Sequence, residues 1–427
     1  MNALLVLLAL AAADGDRRFV MDNGMVAILR EMPGEPVVAV TVAYGVGAAD
    51  DPEDRAGLAH LVEHLTFRGT KHTKPFEVLS SLEAVGGRDM NASTFLDATA
   101  YYAVVPTGAL ERTLWSEADR MAFTLEVMSD ATFADEHPVV MREMRGRRGG
   151  IGGTFFAYAR RAFFGDGHPY AGVEDELEQT AALTAHDARW LFQQTYRPDN
   201  AVVTLVGAFD PARAESMVRK HLGTVVAPAI PKRARPAAPE RSERCREIWV
   251  TARVASPVVE VWWAVDGDFD AVEVATVVIE KRLSEQLQKQ YGAAVYVASG
   301  VQRQRLESHA YVRIVGARDA NANALKSLVL DEVRQLRDLR FGTQPVVDAI
   351  RSVRGGRRSQ EDDPLDVGRD LALAELGVPV RGAVPEGAVE VQAATRKHLT
   401  PTRRFVAVLD TKGETTDVAR TVGRDCR

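Results

Sequence analysis

The sequence patterns of this chain run through once and then run through again, and this duplication limits the fold more than any other feature. Pro36-Val37-Val38-Ala39-Val40-Thr41-Val42 is a β-branched run with the composition of a buried strand. Pro257-Val258-Val259-Glu260-Val261 echoes it. The first run leads through helical and strand patterns to a last apolar strand at Ala201 to Val206, and the second leads to Phe405 to Leu409. A period of roughly two hundred residues is too long for a solenoid, so each copy must build its own core. The predicted fold is α+β: two homologous domains, each a mixed β-sheet with helices packed mainly on one face. The length of 427 residues suits two cores better than one. Ala227 to Arg241 is rich in Pro, Ala, Lys and Arg without a period, which reads as a linker. The domains are therefore placed at 14–226 and 244–427, with 227–243 between them.

Within the first copy, Arg18 to Arg30 reads as two short strands around an Asn23-Gly24 turn. Pro75 to Val85 reads as a helix closed by Gly86-Gly87, and Asn91 to Phe95 with Thr99 to Val105 as a strand pair. Ala109 to Met128 and Asp135 to Arg147 read as helices, and Gly146 to Gly153 as a flexible loop. In the second copy, Ala271 to Gln290 and Ala320 to Leu339 read as helices around strands at Ala293 to Val301 and His309 to Val315.

The chemistry-bearing stretch is Leu58-Ala59-His60-Leu61-Val62-Glu63-His64-Leu65, which only the first copy contains. Residues four apart share a helix face, so His60 and His64 can offer two imidazoles to one metal ion. Glu63 stands close enough to reach a water on that ion, and the order His-x-x-Glu-His is the inverzincin pattern. A surface helix can carry two His and a Glu by chance, so the reading needs a third ligand. Glu136 and Glu143 lie seven apart, two turns of one helix, with both carboxylates on one side. A carboxylate is a usual third ligand for zinc.

The composition narrows the alternatives. A net charge of -6 speaks against a general nucleic-acid binder, and the clusters Arg145 to Arg148 and Lys232 to Arg241 read as a solvated turn and part of the linker. Residues 1–13 have the apolar run and Ala11-Ala12-Ala13 ending of a signal peptide, though with no Lys or Arg ahead of it. Export to a bacterial periplasm is the expectation, with the cytoplasm as the alternative. No stretch is apolar over enough residues to span a bilayer. Cys245 and Cys426 are too few for a disulfide framework; they could pair after export or remain thiols.

Taken together, several blocks resemble the pitrilysin-like zinc peptidases, in the branch that includes mitochondrial processing peptidase and its bacterial relatives. They are Gly57 to Thr70, Gly86-Gly87, Asn91-Ala92-Ser93-Thr94, Thr99-Ala100-Tyr101-Tyr102, Glu136 with Glu143, His168-Pro169-Tyr170, and Tyr196 to Ala201. The resemblance implies that His60, His64 and Glu143 bind one zinc ion per chain and that Glu63 is the general base. It implies that Glu136 orients a ligand histidine, and that Asn91, Ala92, Ser93 and Thr94 form an edge strand to which a peptide substrate adds. Glu143 stands 79 positions after His64, slightly more than the family's usual gap, yet the spacing of Glu136 and Glu143 is kept.

The second copy resembles the family's domain without zinc, and there the chain departs. Where the family has an Arg followed seven residues later by a Tyr, this chain has Gln288, with Tyr296 one place late. A glutamine brings no fixed charge to a developing oxyanion. Either Lys289 and Tyr296 stand in, or a partner supplies the pair. The expectation is a zinc endopeptidase acting on extended peptides or unfolded protein segments. It is expected as a heterodimer with a related chain that holds the Arg/Tyr pair, with a homodimer as the alternative. The rival reading is a non-catalytic subunit that keeps the fold for assembly or peptide binding. A zinc enzyme for a non-peptide substrate has no sequence feature in its favour.

Overall fold

The β-branched runs form the middle of two sheets. In the computed structural model, which describes residues 15–34, 36–148, 153–172, 177–239, 246–252, 254–411 and 419–422, the first sheet has six strands. They are β1 (Arg17–Val20), β2 (Val26–Glu31), β3 (Val37–Tyr44), β4 (Arg88–Thr94), β5 (Thr99–Pro106) and β6 (Ala201–Gly207), in the order β1-β2-β6-β3-β5-β4. Only β2 and β6 run parallel; the other pairs are antiparallel. The second sheet has β7 (Arg246–Thr251), β8 (Val258–Val265), β9 (Ala294–Gln302), β10 (Ser308–Gly316), β11 (Arg404–Asp410) and β12 (Ala419–Val422). Its order is β12-β7-β11-β8-β10-β9, again with one parallel pair, β7 and β11. The sheets match strand for strand except at one edge, which comes from the start of the first copy and the end of the second. The α+β duplication expected from the sequence is the fold.

Each sheet is covered on both faces. In β8, Val259, Val261, Trp263 and Val265 enter a core with helices Phe269–Leu283, Ala322–Asp338 and Ala388–His398. The alternate residues Val258, Trp262 and Ala264 meet Phe155, Ala159 and Phe163 of helix Gly153–Phe164. The period of two in a strand delivers side chains to both sides. In the first sheet, Ala43, Ala100, Val202 and Val206 pack on Leu371 and Ala372 of helix Pro364–Glu375. Tyr101, next to Ala100 and so on the other face, lies under Arg120 of helix Leu110–Phe123.

The covering helices show that the compact units are not the two sequential halves. One unit comprises Met1–Glu143, Glu176–Arg235 and Gln360–Val378; the other comprises Met144–Asp175, Pro236–Ser359 and Pro379–Arg427. Each half of the sequence therefore carries a helix that closes the other half's sheet. The physical reason is the bare second face, whose apolar residues must be taken from water.

Two further expectations change. Helix Asp130–Arg148 runs through Gly146, and another helix begins at Gly153, so both ends of the glycine-rich stretch are helical; 149–152 lie outside the described residues. The basic linker is a strap rather than a solvated tether along its first part. Lys232 Nζ donates to the Asp199 carbonyl (2.8 Å), Arg233 Nη1 to that of Asp50 (2.5 Å), and Arg235 to those of Asp97 and Leu376. In return Arg197 Nη1 donates to the Ile230 carbonyl (2.9 Å). The acceptors are carbonyls of short helical turns, of a loop and of a helix C-terminus, which the strap cations satisfy. Residues 1–13, Cys245 and Cys426 lie outside the described residues. Among the described residues no helix is long and apolar enough to cross a membrane.

Candidate metal centre

The motif helix, Leu58–Leu65, divides its sides cleanly. Leu58, Leu61, Val62 and Leu65 are buried at 0–1% exposure, the i, i+3, i+4, i+7 stripe of a core-facing helix. His60, Glu63 and His64 occupy another stripe, and His60 and Glu63 are also buried. With eight residues, such a helix depends on its ends. Asp51 supplies the first end: its carboxylate accepts from the N–H groups of Gly57 (2.8 Å), Leu58 (3.1 Å) and Ala59 (2.8 Å). A carboxylate there satisfies orphan donors and favours the positive end of the helix dipole. Gly57 has φ +85°, and a Cβ on it would sit 2.6 Å from Thr180 Oγ1, so the entry turn needs glycine twice over. Asp51→Ala is expected to cost about 2 kcal/mol in chemical denaturation, and Asp51→Asn less, since the amide oxygen still accepts.

Across from this helix, helix Asp130–Arg148 buries Val140, Met141 and Met144 and presents Glu136 and Glu143. Three atoms converge. His60 Nε2 and His64 Nε2 are 3.2 Å apart, and Glu143 Oε2 is 3.7 Å from the first and 3.6 Å from the second. Zinc held at about 2.0–2.2 Å by nitrogen and oxygen in a tetrahedron separates its ligands by about 3.4 Å. The triangle fits that edge length. Among the described residues, this is the one group of three or more His, Cys, Asp or Glu side chains able to meet on one ion.

The surroundings favour positive charge. His64 Nδ1 bonds Glu136 Oε1 at 2.9 Å, which turns Nε2 toward the triangle, and Arg68 Nη1 stands 3.6 Å from the other Glu136 oxygen. Burial works against a charged His64 ring. The bond to Glu136 and the charges of Glu143 and Glu63 outweigh that burial, so its pKa is raised above the ordinary histidine value. The carboxylates that favour positive charge on the partly buried His64 ring would favour a cation at the same place.

Glu63 stands beside the triangle, with Thr94 Oγ1 donating to its Oε2 at 2.6 Å. Behind the helix end, Thr66 Oγ1 donates to the Glu63 carbonyl (2.7 Å) and lies 3.1 Å from the Tyr101 hydroxyl, itself 2.9 Å from that of Tyr196. Burial pushes both phenols upward in pKa, so they stay neutral. Arg120 lies 4.3 Å from the Tyr101 ring centroid and pairs with Glu117 at 3.1 Å.

The sequence-predicted residues thus fall into two groups. His60, Glu63, His64, Glu136 and Glu143 come together, and Asn91 to Thr94 lie on β4, the edge of the first sheet. Tyr296 belongs to the second unit, on edge strand β9, and is half exposed. There Gln288 Nε2 donates to the Val295 carbonyl (2.9 Å) and Lys289 pairs with Glu285 (2.6 Å), so both side chains are engaged locally. Sequence reasoning missed Asp51 as the cap and Thr94 as the partner of Glu63. The first had a visible signal, an acidic loop just ahead of the motif, and the second had none.

The comparisons follow the same division. The profile "Insulinase (Peptidase family M16)" matches residues 26–144, and "Peptidase M16 inactive domain" matches 182–352. An uncharacterized zinc protease of Mycobacterium leprae is 29% identical over 221 residues, 50% of this chain and 47% of that protein. Zinc protease PqqE of Helicobacter pylori is 31% identical over 191 residues, 43% of this chain and 41% of that protein. The matched stretch thus spans about half the length of these curated relatives or less. The crystal structure of a protease from Helicobacter pylori superposes with a TM-score of 0.78 at 20% identity, over 92% of this chain and 99% of that one, which is a likeness of fold. With the metal-site half and the inactive half both matched in order, the chain belongs to the M16 family of pitrilysin- and insulinase-like peptidases.

Proposed function

We propose that this chain is a zinc endopeptidase that hydrolyses extended peptides or unfolded protein segments, with His60, His64 and Glu143 holding one ion and Glu63 as general base. The observation that carries the reading is the triangle of His60 Nε2, His64 Nε2 and Glu143 Oε2, 3.2–3.7 Å on a side, with Glu63 beside it. Zinc bound there supplies a Lewis acid and a water acidic near neutral pH. Glu63 takes the proton from the attacking water and returns it to the leaving amine. Glu136 keeps His64 in the tautomer and orientation that aim Nε2 at the ion. The edge of β4 receives the substrate backbone as an added strand, which demands an extended chain and little sequence.

No Arg/Tyr pair of the family's spacing is present around Gln288, and this supports assembly with a related chain that brings one. The test is cleavage of a quenched unstructured peptide by the purified chain, with zinc content measured and a chelator as control. Cleavage that the chelator abolishes and zinc restores supports a self-sufficient peptidase and removes the need for a partner. One zinc per chain without cleavage supports the partner, and a related chain that restores turnover would establish it. A chain that binds no zinc contradicts the reading and leaves the non-catalytic subunit.

A further inference from the structure

Thr94 carries more than its place in an edge strand requires. Side chains alternate along β4, so Ala92 and Thr94 share one side and Asn91 and Ser93 the other. The Thr94 hydroxyl has one proton to give. Two oxygens are in reach: Glu63 Oε2 at 2.6 Å and Thr99 Oγ1 at 3.4 Å. Thr99 uses its own proton on the Val46 carbonyl at 2.9 Å. The shorter distance and the carboxylate's charge commit the Thr94 proton to Glu63.

We propose that Thr94 is a positioning residue for Glu63, fixing the carboxylate of the base from the strand on which the substrate lies. The inference rests on the zinc-peptidase reading above. A glutamate side chain has three torsions, and the short motif helix fixes only where they start. A hydroxyl on the neighbouring strand settles where they end. Because the same strand would pair with the peptide backbone, one segment then sets both the place of the base and the place of the scissile bond. Productive alignment depends on such distances to about 0.5 Å. No motion of either helix is needed to bring base and substrate into register.

The test compares Thr94→Val, which keeps the shape and suits a strand, with Thr94→Ser, which keeps the hydroxyl. Crystal structures of the zinc-loaded variants give the position of Glu63, and peptide cleavage gives kcat and KM. In Thr94→Ser the carboxylate is expected within about 0.5 Å of its original place, with kcat within about threefold of the unaltered chain. In Thr94→Val it is expected to move by more than about 1 Å or to spread over several orientations, with kcat down about ten- to a hundredfold, KM unchanged and zinc content equal. A fixed carboxylate in Thr94→Val overturns the proposal. So does an undiminished kcat, a loss confined to KM, or a Thr94→Ser as impaired as Thr94→Val. Should no preparation cleave peptide and Glu63→Gln change nothing, the peptidase reading falls; the position of Glu63 in the two variants still decides this one.

Discussion

Glu63→Gln should lower peptide cleavage by about a thousandfold or more while the chain keeps its full equivalent of zinc. The substitution changes one atom and almost no volume. The amide oxygen can still accept from Thr94, and the side chain stays buried beside His60. What it cannot do is take a proton from water and hand it on. A structural role would instead appear as lost stability or lost metal, and neither is expected. The measurement is kcat/KM with zinc determined on the same sample. A loss under about tenfold would mean that another group removes the proton, since positioned bases contribute about 10²–10⁴.

His60→Ala should leave the purified chain without stoichiometric zinc. Two of the three converging atoms would remain, His64 Nε2 and Glu143 Oε2, and water would have to complete the shell. Removing a residue that merely orients a ligand costs about 10–100-fold in affinity, so removing a ligand should cost more. Stability reports the same event. Zinc held a thousandfold above its Kd adds about 4 kcal/mol to the folded state. For a unit of this size that is a fall of roughly 8–16 °C in the zinc-dependent transition once binding is lost. His221→Ala is the control, because His221 pairs with Glu111 away from the triangle and should bind zinc as before. Equal zinc content in His60→Ala would place the metal elsewhere.

Much of the site could be read from the sequence because its chemistry is helical arithmetic. His60 and His64 lie one turn apart and Glu136 and Glu143 two turns apart, so each helix fixes its own pair without reference to the rest of the fold. The central strands were legible for a similar reason: β3 and β8 are β-branched runs whose burial does not depend on which helix covers them. What was not legible depends on distant partners. Arg246 to Thr251 mixes charged and apolar residues and becomes a strand because β11 lies beside it. Helix Gly153–Phe164 follows a glycine-rich stretch and is held by Phe163 against Trp262 and Phe405, more than ninety residues away. The strap arginines find carbonyls of Asp50, Asp97 and Leu376, acceptors that no local pattern announces. Thr94 was placed with the substrate strand, and its hydroxyl's partner became visible only with the motif helix set against that strand.

The crossed ownership of the covering helices bears on how such a chain can be divided. A gene split within the linker would make two polypeptides, each with a complete set of central strands and each missing the helix that closes one face. The amino-terminal piece would carry Gly153–Phe164 with no sheet to receive it, and the carboxy-terminal piece would carry Pro364–Glu375 in the same position. Made alone, either piece would show water a broad apolar surface and would be prone to self-association. Made together, each holds what the other lacks, so solubility should be recovered by complementation rather than by trimming. With the covering helices exchanged in this way, the two copies can be cut apart only at the expense of both.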